Sequence, residues 1–265
     1  MKKSVFHSDF KDLAPLCEDE GIECKYVQNV NDQESIQFIR KVHADVGFCF
    51  GWSQLIHENV INEFPKGIIG FHPAALPYNR GRHPIVWVLA LGLKSTASTF
   101  FRIDKNADTG DILLQENIEI LYEDNAETLY EKIMETAREQ LEKLVEGLEN
   151  NRLVPKHQSQ EMGNVWRKRS IGDGRIDFRM SGRAIYNLVR SLTKPYPGAH
   201  IEWKDAEYKV WRVCEITGTG FENIEPGKII EVYKDGSFDV KTSDNIIRVL
   251  ECDVIDIEKG DYFLP

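Results

Sequence analysis

Apolar positions in the first half of the chain fall into short unbroken runs, separated by stretches with helical spacing. Residues 45–50 (DVGFCF) and 67–71 (GIIGF) are too short for helices, so they predict strands buried on both faces. Residues 22–27 read as a further strand, after a helical stretch that ends at Gly21. Residues 32–43 predict a helix with Asp32 as N-cap, and residues 53–64 predict another. Pro84 suits the first turn of a helix over 84–92, and strands follow at 95–103 and 111–120. Strands alternating with helices imply an α/β fold whose sheet is mostly parallel, of Rossmann-like type.

The pattern then changes twice. Leu129, Ile133, Ala137, Leu141, Leu144 and Leu148 recur at three- and four-residue spacing, which predicts a helix over 124–148 with Asp124 and Glu127 as a capping box. Residues 150–166 are polar and aperiodic and read as a linker. Beyond it come a helix over 182–192 and strands at 199–203, 208–216, 227–233, 237–241 and 246–252, with Lys234-Asp235-Gly236 as a hairpin turn. Several short strands with turns between them predict a small OB-like β-barrel. The expected organisation is a catalytic domain over 1–150, a linker and substrate-binding segment over 151–180, and a helix-plus-barrel domain over 181–265.

Composition narrows the setting. The chain has 265 residues, 42% of them hydrophobic and 29% charged, as in globular proteins. No apolar run is long enough to span a bilayer, no signal-peptide pattern follows Met1, and the five cysteines show no zinc-type spacing. The expectation is a cytoplasmic protein in a reducing compartment, without metal or membrane partner. A net charge of −10 argues against a nucleic-acid partner. Within this acidic chain, RGR (80–82) and WRKRS (166–170) are local basic clusters of the size a phosphorylated small molecule needs, or solvated basic turns.

The densest chemistry lies in GFHPAALPYNRGRHP, residues 70–84. It is a rim of histidine, arginine, proline and glycine at the end of a buried strand, where ligands bind in open α/β sheets. His72 and Asp108 are its candidate acid–base pair. By residue type alone, His72 could equally be a loop histidine satisfied by a carbonyl, and Asp108 a turn residue.

HPAALPYNRGRHPIVW (72–87) with STASTFFRIDKNADTGDILLQ (95–115) resembles the core of the folate-dependent formyltransferases. WRKRSIGDGRIDF (166–178), YNLVRSLTKPYPGAH (186–200) and the strand-rich tail resemble the sugar-nucleotide branch, and are similar to the enzyme that formylates UDP-4-amino-4-deoxy-arabinose. The resemblance implies transfer of a formyl group from 10-formyltetrahydrofolate, a cosubstrate, to the amine of a nucleotide-linked amino-dideoxy sugar. UDP is the implied nucleotide. The product would serve a surface polysaccharide such as lipopolysaccharide, or a pseudaminic-acid-type flagellar glycan, and the protein would be a homodimer. Methionyl-tRNA formylation and a catalytically silent folate- or sugar-binding homologue are the alternatives.

Residue by residue, the resemblance puts catalysis on His72 and Asp108. Phe50, Gly51, Trp52, Leu55, Asp104, Ala107, Asp108 and Asp111 would surround the folate. Asn79, Arg80, Arg82, His83, Trp166, Arg167, Arg169, Arg190 and Tyr196 would take the sugar nucleotide, with Lys168 pointing to solvent. Two departures stand out. The chain is a few dozen residues short of the family's first β-α-β unit, so either the sheet is abbreviated or the N-terminus is incomplete, and the family's Asn-x-His motif reads Gly70-Phe71-His72. Glycine has no amide to offer an oxyanion. Asn79 or His83, a backbone N–H, or a water would have to substitute if turnover occurs.

Overall fold

A computed structural model describes residues 11–263 other than Ser53 and Gln160. Pro15 lies in the first turn of α1 (Ala14–Asp19). In α2 (Gln33–Val42), the Asp32 carboxylate accepts from Ser35 N at 2.7 Å, and His43 closes the helix in the left-handed region at φ 52°. β1 (Gly47–Cys49), α3 (Glu58–Ile61) and β2 (Ile68–His72) follow. Next come β3 (Arg80–Gly81), α4 (Pro84–Ala90), β4 (Ser95–Arg102), β5 (Ile112–Glu119), α5 (Ala126–Glu149) and β6 (Val165–Trp166). The rest is α6 (Gly182–Leu192), β7 (Ala199–Trp203), β8 (Ala206–Ile216), β9 (Ile229–Val232), β10 (Phe238–Lys241) and β11 (Ile246–Cys252).

Contacts divide the chain into two units. The first comprises residues up to Gly81, Ala97–Glu116 and Thr136–Val165. Its sheet runs β1-β2-β4-β5. β1 and β2 are parallel, with Phe48 beside Ile69, whereas β2 and β4 are antiparallel, with Gly70 beside Phe101 and His72 beside Thr99. Four of the five β2 residues are buried, as its unbroken apolar run requires. Ile69, Phe100, Leu113 and Leu144 form one core cluster, and Leu76, Phe101 and Ile112 another.

The second unit comprises Arg82–Thr96, Asn117–Glu135 and the chain from Trp166 onward. Linear order would assign residues 82–96 to the N-terminal half. Val86 instead joins the core that α6 and the C-terminal strands build. On α6, Ile185, Leu188, Val189 and Leu192 are buried at i, i+3, i+4 and i+7, and Ser181 caps the helix by accepting from Ala184 N. The C-terminal strands form one antiparallel sheet in the order β7-β8-β11-β10-β9. Lys204 and Asp205, at φ 48° and 63°, make the β7–β8 turn.

Three expectations fail locally. Residues 22–27 form no strand. The helix expected over 53–64 shrinks to Glu58–Ile61 because side chains hold the preceding backbone extended. Asn31 accepts from His57 N and donates to Leu55 O, while Gln54 donates to Gln28 O and accepts from Val30 N. The α5 cap is Asn125, which accepts from Glu127 N and Thr128 N, and not the expected Asp124–Glu127 box. Asp124 instead accepts from Leu121 N and Lys132. No described helix is long and apolar enough to cross a membrane.

Candidate active site

His72 ends β2 with its side chain 7% exposed. Its Nε2 lies 2.8 Å from Asn79 O. A carbonyl only accepts, so that contact places the proton on Nε2 and leaves Nδ1 as the working nitrogen. Nδ1 faces Asp108 Oδ2 at 3.7 Å, longer than a hydrogen bond and close enough to act as an ion pair when the ring is protonated. Asp108 adopts the left-handed conformation at φ 58°, and its Oδ2 also accepts from Gly81 N at 2.8 Å. The motif loop and the acidic loop are thus tied through one carboxylate oxygen.

The supports for this pair come from a segment without any sequence period. Gln158, 1% exposed, donates to Asp108 O at 3.1 Å and Gly110 O at 2.6 Å. Its Oε1 accepts from Arg80 Nη2 at 2.9 Å. Arg80, expected to hold phosphate, is instead buried against Gln158 and Ser159 O, because the acidic loop needs an anchor there. Asn164 accepts from Asn79 N and Arg80 N, and a Cβ at Gly163 would collide with Pro77 O. Asp104, expected at the folate, accepts from Asn106 N and Thr109 Oγ1 and so shapes the turn. Ala107 is exposed, and Asp111 faces His157 at 2.9 Å. A lone glutamine or asparagine in a polar stretch carries no sequence signal for such contacts.

Gly70 has a clear physical reason to be glycine. Residues 70 and 72 point to the same face of β2, and an added Cβ at 70 would lie 2.9 Å from the Phe101 ring and 3.1 Å from Ile103 Cγ1. The Phe101 ring fills the place of a side chain at that position.

On the apolar side, Phe50 packs edge-on to Phe71 and Phe100, with ring centroids 6.4 and 5.7 Å away. Phe50, Trp52 and Leu55 remain exposed, and Gly51 turns the chain at φ 65°. Phe50 and Trp52, with Phe48, Cys49, Ile56 and Phe64, border a cavity of about 240 Å³. Burial pushes the Cys49 thiol up to about 11, so that wall carries no charge.

In the second unit, Trp166 lies 6.3 Å from Trp87, and Trp87 Nε1 donates to Arg167 O. The guanidiniums of Arg167 and Arg169 lie over the Trp87 ring, at 5.3 and 4.6 Å. Arg167 pairs with Asp173, which also accepts from Ser170 and is held well below the usual carboxylate range, mainly by Arg167. Arg169 donates to Asp173 O. Arg82 is exposed. His83, at φ 56°, has its pKa lowered by burial first and then by Arg82, Lys168 and Arg169. Arg190, expected at the substrate, is buried and donates to Asn187 Oδ1 and to the carbonyls of Leu121, Tyr122 and Asp124. Those orphan carbonyls turn it into the fold. Tyr196 packs on the second unit's core.

Comparison with known proteins agrees with the architecture. Residues 7–145 match the family described as formyl transferase, and residues 170–258 match the formyl transferase C-terminal domain. A methionyl-tRNA formyltransferase of Solibacter usitatus (strain Ellin6076) is 33% identical over 210 residues, covering 79% of this chain and 67% of its own length. The bifunctional polymyxin resistance protein ArnA of Wigglesworthia glossinidia brevipalpis is 32% identical over 206 residues, 77% of this chain, but this spans only 31% of that protein. Among solved structures, the N-formyltransferase from Helicobacter canadensis in complex with folinic acid and dTDP-3-aminofucose superposes with a TM-score of 0.65. It is 18% identical and covers 90% of this chain and 82% of its own. With the N-terminal and C-terminal matches in order along one chain, this protein belongs to the formyl transferase family of group-transferring enzymes.

Proposed function

We propose that the protein transfers a formyl group from 10-formyltetrahydrofolate to the amine of a nucleotide-linked amino sugar, with UDP or dTDP as the nucleotide. The observation that carries the reading is the buried imidazole of His72, its Nε2–H committed to a carbonyl and its Nδ1 turned to Asp108. In the reaction the acceptor amine attacks the formyl carbon, loses a proton, and the folate nitrogen gains one as it leaves. His72 Nδ1 accepts the proton and returns it. Asp108 stabilises the imidazolium while Gly81 N keeps the carboxylate aimed. The exposed apolar residues Phe50, Trp52 and Leu55 suit a flat pterin that needs shape more than charge.

On the acceptor side, burial and the charges of Arg82, Lys168 and Arg169 hold the His83 pKa down, with Asp173 acting the other way. That surplus of positive charge suits a diphosphate, and Trp166 offers a face to a base. Binding of dTDP-3-aminofucose by a structural relative favours a sugar nucleotide. The rival acceptor is methionyl-tRNA, favoured by the 33% identity to such an enzyme. A net charge of −10 opposes it, because tRNA acceptors need a broad basic surface.

The test is to incubate the protein with 10-formyltetrahydrofolate and, separately, UDP- and dTDP-linked amino sugars or methionyl-tRNA, following product mass and tetrahydrofolate release. A formylated sugar is expected. Formylation of tRNA alone would replace the reading, and formylation of nothing would abolish it.

A further inference from the structure

Acyl transfer needs a donor for the oxygen that becomes negative when the amine adds to the formyl carbon. Around His72 nearly every described donor is already committed. Gly81 N is on Asp108, Asn79 N on Asn164, Arg80 on Gln158 and Ser159, and Thr99 Oγ1 on Ala74 O. Gln115 donates to Leu76 O and Thr99 Oγ1, and Ala74 N, Leu76 N and Tyr78 N are spent within the loop. Position 70, on the same face as His72, is closed by Phe101.

One donor is left. Asn79 is partly buried, with no side-chain bond to a described residue, and its own carbonyl is the group that receives His72 Nε2–H. Its backbone sits at φ 66° with its N–H held by Asn164 and its carbonyl by His72, so the side chain starts from a fixed main chain. We infer that the Asn79 side-chain amide is the catalytic donor to the formyl oxygen, and that Phe101 is why this donor comes from position 79 and not 70. As the amine lone pair bonds to carbon, the C=O π pair moves onto oxygen and is received by Asn79 Nδ2–H. When the C=O re-forms, the bond to the folate nitrogen breaks and that nitrogen keeps the pair and takes a proton. The inference rests on the formyl-transfer reading above.

The test compares Asn79→Gly and Asn79→Asp with the wild type, because glycine and aspartate both tolerate the left-handed backbone. Both variants should lower kcat by about 10²–10³ while the KM values for folate and acceptor change less than about threefold. Melting temperature and binding of 5-formyltetrahydrofolate should stay near wild type. Asn79→Asp acting like wild type would overturn the inference, since aspartate keeps the backbone role and loses the donor. Losses matched by equal losses in folate binding would overturn it too. A wild type that formylates no acceptor removes the functional reading itself, a result distinct from either variant outcome.

Discussion

In the first unit Arg80 disappears into a network with Gln158 that anchors the acidic loop, whereas in the second Arg167 and Arg169 lie across the face of Trp87. Both arginine-bearing stretches read alike as phosphate contacts, and the fold uses them in opposite ways. Around His72 and Asp108, the imidazole Nε2, the Asp108 carboxylate and the Gln158 amide are each held by a partner within about 3 Å. Proton transfer tolerates little displacement, so that region is stiffened at the expense of free charges. Beside Trp87 the arginines keep one aromatic and one acidic partner and the Arg167 side chain stays exposed. Anion binding depends on charge density and forgives small movements.

The comparison can be broken most directly at Asp108. Asp108→Asn keeps an acceptor for Gly81 N and suits the left-handed backbone, yet removes the charge opposite Nδ1. Steady-state kinetics should show kcat down by about 10²–10³, and calorimetry a nearly unchanged melting temperature. An unchanged kcat would mean that the stiff region is only structural.

Gln158→Ala should come next, destabilising the protein by about 2–4 kcal/mol in chemical denaturation, because it leaves the buried Arg80 guanidinium only Ser159 O and two loop carbonyls without their donor. Gly70→Ala follows at about 1–3 kcal/mol, by overpacking against Phe101. Phe101→Leu in the same chain should recover part of that loss, and no recovery would show that the clash lies elsewhere.

Effects in the second unit should be smaller. Arg82→Ala should raise the KM for the proposed sugar-nucleotide acceptor by about fivefold, equivalent to about 1 kcal/mol, and leave kcat unchanged. The smallest effect concerns pH. Asp173 titrates lower in the folded protein than its ordinary value of about 3.9, so its stabilisation is full above that value and is lost as pH falls below it. The melting-temperature gap between wild type and Asp173→Asn should be constant from pH 5 to 8 and close in more acidic buffer.

Sequence patterns carried some regions well. The span 182–192 is one apolar face with a serine cap, and the helix has those bounds. The span 53–64 looked as helical, but Asn31 and Gln54 reach across and hold its first half extended, a contact between residues more than twenty positions apart. His72 and Asp108 were singled out by the family resemblance of their motifs, and the structure brings them to 3.7 Å of each other. Gln158, Asn164 and Phe101 were not singled out, since their roles consist of which backbone atom or which empty volume they meet.

The sequence by itself determined the alternation of elements and the change to a strand-rich C-terminal half, because periodicity is a local property, and the family resemblance of its motifs singled out His72 and Asp108. Only the tertiary structure decided that Arg80 and Arg190 serve the fold, that Phe101 closes position 70, and that the Asn79 carbonyl takes the His72 Nε2–H. Those outcomes depend on burial and on competition for hydrogen-bond partners, which exist only once distant segments have packed together.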